Sequence, residues 1–211
     1  MATPMKIVLG VLGFCALSVN LSAQKDFQIF TSPDGAFQFK YWHRLIRCTL
    51  NQENNGSPVD QLDACTSQAP MCNSDSSSST FACFAFPKDR LKKKPTFIAA
   101  TFFVSEIGEA TITESCLAGS KYWLNARTEN TKINAATFRH FSISDAWLGG
   151  GQWGEIYRAF HNGKCYELGI QQAHTSPGGF DPGTIQTFTK QDQAEVDRRL
   201  RQVLHSFRFL K

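Results

Sequence analysis

The dipeptide Asn162-Gly163 constrains this chain more than any other feature. It lies within Trp153–Ile170, between two runs rich in apolar and aromatic residues. Asn-Gly supplies the two positive-φ positions of a type I′ turn and is the strongest short-range signal for a β-hairpin. A two-residue turn then dictates the register. His161 faces Lys164, Phe160 faces Cys165, Ala159 faces Tyr166, Arg158 faces Glu167 and Tyr157 faces Leu168. Because side chains alternate, Tyr157, Ala159, Tyr166 and Leu168 share one face. Phe160, Cys165, Arg158 and Glu167 share the other, where the opposite charges form a favourable cross-strand pair. This hairpin is expected at the centre of an antiparallel sheet.

Met1 to Ala23 reads as a secretory signal peptide. Lys6 precedes an apolar run, Ile7–Val19, and Ala23 offers a small residue before Gln24. Cleavage after Ser18, behind Ala16, is the alternative. The run is shorter than the ~20 apolar residues of a membrane span. The expectation is therefore a secreted or periplasmic protein with no transmembrane anchor after cleavage, residues 24–211 forming a single domain. Without Lys6 the chain carries 21 basic and 18 acidic residues, 22 less one against 18. That balance is too small and too scattered to point to nucleic acid. The densest basic run, Arg90-Leu91-Lys92-Lys93-Lys94, reads as a solvated loop.

Removing Cys15 with the signal leaves Cys48, Cys65, Cys72, Cys83, Cys116 and Cys165. An even number of cysteines in an exported chain reads as a disulfide framework. No Cys-x-x-Cys spacing or following histidine pair favours zinc. Among the 15 connectivities open to six cysteines, the expected pairing is Cys65–Cys72, Cys48–Cys83 and Cys116–Cys165.

Along the chain, Phe27–Thr31 and Phe37–Tyr41 alternate in period 2 around Ser32-Pro33-Asp34-Gly35, a type I turn sequence, and make a first hairpin. The stretch from about 51 to 80 is polar and contains Ser76-Ser77-Ser78-Ser79; it reads as a long loop and a candidate binding surface. Thr80–Pro87 and Thr96–Ile107 follow as strands. Phe97–Val104 is apolar on both faces, which implies cover on each side. A short helix is expected over Glu114–Leu124, capped by Thr113, and a strand over Ile133–Ile143. The last helix spans Lys190–Ser206. Thr189 and Asp192 form its capping box, and Val196, Leu200, Val203, Leu204 and Phe207 its core-facing stripe.

No catalytic constellation emerges. There is no Gly-x-Ser-x-Gly elbow, and alternation puts His161 and Cys165 on opposite faces of the hairpin. Gly149-Gly150-Gly151 is followed by a strand and lacks the Lys-Ser/Thr of a phosphate loop. His140, His161 and His174 share no metal-binding motif, so neither metal nor cofactor is expected. Trp147 and Trp153 bracket the triple glycine. Together with His161 they form the candidate binding rim.

The opening Phe30-Thr31-Ser32-Pro33-Asp34-Gly35-Ala36-Phe37-Gln38-Phe39-Lys40-Tyr41 resembles the S-P-D-G-F-x-F-x-Y-P start of PsbP-like domains. The closing Leu204-His205-Ser206-Phe207-Arg208-Phe209 resembles their I-L-x-S-F-R end. The resemblance implies an α+β fold, an α/β/α sandwich around an antiparallel sheet, and a binding or assembly role rather than catalysis. The expected function is an exported, disulfide-stabilised, non-enzymatic domain that binds an unknown protein or small-molecule partner in the envelope or outside the cell. A small secreted hydrolase or thiol enzyme, its site assembled from distant residues, is the alternative.

Overall fold

The computed structural model describes residues 26–48, 72, 78–91, 96–119, 127–181, 183 and 185–210. Residues 1–25, where the signal peptide is expected, most of the stretch from 51 to 80, Cys65 and Lys92–Lys94 lie outside them.

The central hairpin is the expected one. Strand β8 (Gly150–His161) pairs with β9 (Lys164–Thr175) in the predicted register, from His161 opposite Lys164 onwards. Asn162 and Gly163 both take positive φ, 49° and 79°. Strand β9 is the middle strand of a seven-stranded antiparallel sheet. One flank adds β5 (Phe97–Ile107), β4 (Ser78–Ala85) and β3 (Ile46–Arg47). The other adds β7 (Ala136–Trp147) and β6 (Arg127–Ile133).

The first hairpin, β1 (Phe27–Thr31) and β2 (Phe37–Trp42), does not extend this sheet. It forms a second, three-stranded sheet with β10 (Arg208–Phe209), in which Arg208 faces Gln38 and Phe209 faces Phe37. The two segments that carry the family resemblance, nearly the length of the chain apart, are hydrogen-bonded neighbours.

Two α-helices occur among the described residues: α1 (Thr113–Leu117) and α2 (Lys190–Ser206). Helix α2 has the predicted limits. Its Thr189 side chain accepts from the Asp192 backbone and Asp192 accepts in return, while Val196, Leu200, Val203 and Leu204 are buried. This helix and the three-stranded sheet lie on the same face of the large sheet. Their shared core is aromatic: Phe39 stacks on Phe30 at 4.9 Å and meets Phe102 edge-on at 5.1 Å, and Phe37 stacks on Phe207 at 5.3 Å. On the opposite face Phe103 packs with Cys83, Phe141 and Ile156. Gly169 is required there, because any Cβ at that position would run into the Phe103 ring.

The architecture is therefore mostly β, with ten strands in two antiparallel sheets among the described residues, and not an α/β/α sandwich. Two local readings change with it, while the apolar strand Phe97–Val104 is covered on both sides, as expected. On one side lie α2 and the small sheet; on the other are the Cys72–Cys83 bridge and nearby apolar side chains. The expected Glu114–Leu124 helix is limited to five residues among those described, and its N-cap is Ile112 rather than Thr113. The single strand expected over Ile133–Ile143 is two strands joined at Asn134, where φ is 52°.

The cysteine pairing differs as well. Cys116 joins Cys165, as expected, and ties α1 to β9. Cys72, however, joins Cys83 rather than Cys65. Cys48 lies beside that bridge, its N–H donating to the Cys83 carbonyl at 2.9 Å, and is itself disulfide-bonded. The expected Cys48–Cys83 bridge is therefore not formed, although the two residues are neighbours at the β3–β4 edge.

Candidate functional site

Alternation along β9 places Tyr166, Leu168 and Ile170 in the core beneath the small sheet and α2. Gln172 and His174 continue that face towards the end of the sheet. There the apolar stripe is interrupted. Gln172 is 1% exposed, and neither its Nε2 nor its Oε1 has a hydrogen-bond partner. The Nδ1 atom of His174 is likewise buried and unpaired. Trp153 sits opposite Gln172 in the register and meets the His174 ring edge-on at 5.0 Å. Gly151, opposite His174, contributes no side chain; a Cβ there would reach His174 Cε1 only at 3.7 Å. A half-buried indole, an imidazole and an unpaired buried amide thus converge next to a bare backbone position.

The other unpaired buried atoms have a simpler setting. His140 stacks on Tyr157 at 4.6 Å and His161 on Phe209 at 4.0 Å, so ring contacts account for their burial.

Beside Trp153 runs a polar seam whose members satisfy one another. Glu155 accepts from Tyr157 Oη and from Arg201 of α2, each at 2.5 Å, and Arg201 also donates to Asp197 at 2.7 Å. Burial alone would raise the Glu155 carboxyl. The Arg201 guanidinium and the Tyr157 hydroxyl outweigh that and hold it below the usual carboxylate range. Burial, reinforced by the Glu155 carboxylate, pushes the Tyr157 hydroxyl up. A carboxylate held ionised in this way is a poor proton acceptor. The seam fastens α2 to the sheet. On the opposite face Arg158 and Glu167 form the predicted pair, 2.7 Å apart and almost fully buried.

The candidate rim separates along the β7–β8 hairpin. Trp147 lies opposite Gly150 at the β7–β8 turn, Trp153 lies three positions further along β8, and His161 is at the far end beside the β8–β9 turn. At about 3.3 Å per residue, the eight steps from Trp153 to His161 span roughly 26 Å. Gln172 was missed at the sequence level. A polar residue breaking an otherwise apolar alternation on β9 was the available signal.

Cys48, Cys72 and Cys83 bring three sulfurs within 4.8 Å of one another. All are oxidised, as are Cys116 and Cys165, so none of these five offers the thiolate that metal ligation or nucleophilic attack requires. No helix among the described residues is long and apolar enough to cross a membrane.

No family model matches the chain, and no curated protein matches it. Among solved structures, a Bacteroides thetaiotaomicron VPI-5482 protein aligns over 88% of this chain and 49% of its own, at 10% identity and a TM-score of 0.45. The chain spans about half the length of that protein.

Proposed function

We propose that this chain is an exported, disulfide-stabilised, non-enzymatic binding domain whose ligand docks at the Trp153–Gln172–His174 end of the sheet. The carrying observation is the meeting of the part-exposed Trp153 and His174, 5.0 Å apart, beside the Gln172 side chain, which is buried with both amide atoms unpaired. Burial of that kind costs about 1–3 kcal/mol. A side-chain amide offers donors and an acceptor together, a pattern complementary to another amide or to adjacent hydroxyls. The reading is thus of a polar, uncharged partner, a peptide segment or a polyol, with Trp153 supplying apolar contact. Export is supported by the signal-like N-terminus and the oxidised cysteines. The PsbP-like character of the two paired termini supports a binding role.

Gln172→Met keeps the volume and removes both polar atoms. It is expected to raise stability by roughly 1–2 kcal/mol in denaturant titration, because an unpaired amide is no longer buried. The parent protein is expected to change its tryptophan fluorescence with short peptides or oligosaccharides, and Gln172→Met is expected to lose that response. A less stable variant would mean that buried water satisfies the amide in solution, and the reading would fall.

A further inference from the structure

A different part of the surface is organised around Trp42. The indole is 5% exposed. Three guanidinium groups from three separate segments cover it: Arg199 of α2 at 4.7 Å from the ring centroid, Arg90 of the 3-10 turn Lys88–Leu91 at 5.3 Å, and Arg44 of the β2–β3 corner at 5.7 Å. The face of an indole attracts each cation singly. It does not cancel the repulsion among them. No pair of the three can be farther apart than the sum of 5.7 and 5.3 Å, close to the Debye length of about 10 Å at 0.1 M salt. Only Arg199 has an acidic partner, Glu195 at 3.0 Å, which Arg198 shares. Among the described residues, no ion pair involves Arg44 or Arg90, and both are exposed. The fold thus concentrates positive charge on a buried aromatic platform and leaves the outer N–H groups of two guanidinium forks without a carboxylate among the described residues.

We propose that the Trp42 corner is an oxyanion site, binding a phosphate or sulfate group between Arg44, Arg90 and Arg199. Guanidinium is the side chain best matched to such groups, since its planar fork donates two parallel hydrogen bonds to one oxyanion. Three forks from three segments can surround a tetrahedral group, whereas a lone lysine cluster would supply only point charges. The site is separate from the Trp153 end and does not depend on that reading.

The test uses the oxidised full chain and inorganic phosphate and sulfate as probes, with ionic strength held constant by sodium chloride. Calorimetric titration is expected to show saturable binding, and melting to shift up by several degrees at about 100-fold excess over Kd. The double variant Arg44→Gln/Arg90→Gln keeps much of the apolar stem over the indole. It is expected to bind at least ten-fold more weakly while melting no lower than the parent in the absence of probe. Arg44→Lys/Arg90→Lys should fall between the two, and Arg198→Gln should leave binding unchanged. Vesicles containing phosphatidylglycerol distinguish the source of the group: capture by vesicles without response to the free ions, lost in the glutamine variant, assigns a lipid headgroup. Equal effects of chloride and the oxyanions, or binding by the glutamine variant at parental strength, would overturn the site.

Discussion

At the scale of single residues, similar polar side chains have opposite roles according to what meets them. Glu167 is completely buried and answered by Arg158 in a pair that follows from the hairpin register. Gln172, five residues on and on the other face of the same strand, is equally buried and answered by nothing. Glu155 lies between these cases, half-buried and held ionised by Arg201 and Tyr157. Its carboxyl titrates below the ordinary value of 4.5 in the folded state. The stability this contributes is complete above the unfolded-state value and is lost as pH falls through the lower folded value. In urea titrations, the advantage of the parent over Glu155→Gln should be constant above about pH 5.5 and shrink steadily towards pH 3. An advantage that grows on acidification would show that Glu155 is not held ionised. Register made the Arg158–Glu167 contact legible. Nothing local announced Arg201, 46 residues away on a helix that reaches Glu155 only by packing.

At the scale of elements, legibility followed the strength of local chemistry. Helix α2 has a reciprocal capping box, a polar outer face and a continuous apolar stripe, and its limits could be read directly. Thr189→Ala removes the side-chain acceptor of the Asp192 N–H and should cost about 1 kcal/mol, with fraying of the first turn visible in amide exchange. Ile133–Ile143 reads as one strand running through the β6–β7 turn because that turn is Asn134-Ala135, with none of the glycine that marks Asn162-Gly163. Asn134 is held at positive φ from a distance: its Nδ2 donates to the carbonyls of His205 and Phe207 where α2 ends. A turn stabilised from the far end of the chain leaves little trace in its own sequence. Conversely, Phe97–Val104 was correctly read as covered on both faces, but a run of apolar residues specifies burial without specifying what buries it.

At the scale of the whole molecule, the crosslinks and the two sheets are one design. Cys116–Cys165 ties the short α1 to the central strand, and Cys72–Cys83 ties an incoming segment to β4. Peptide mapping without reduction should recover Cys72–Cys83 and Cys116–Cys165, with no alkylation of native protein at those four positions; a Cys65–Cys72 peptide would contradict this arrangement. Reduction should lower stability by about 2–4 kcal/mol per bridge. What the sequence determined alone was whatever depends on near neighbours: the register of the Asn162-Gly163 hairpin, the last helix with its capping box and apolar stripe, and the burial of Phe97–Val104 on both faces. Only the tertiary structure decided which sheet the first hairpin joins, which sulfur Cys83 takes, and that Gln172 and three arginines face what they do. Hydrogen bonding and capping act over a few residues. The union of β2 with β10, and the meeting of Arg44, Arg90 and Arg199 at Trp42, follow from burying a shared aromatic core, where the choice of partner depends on shape and volume across the entire chain.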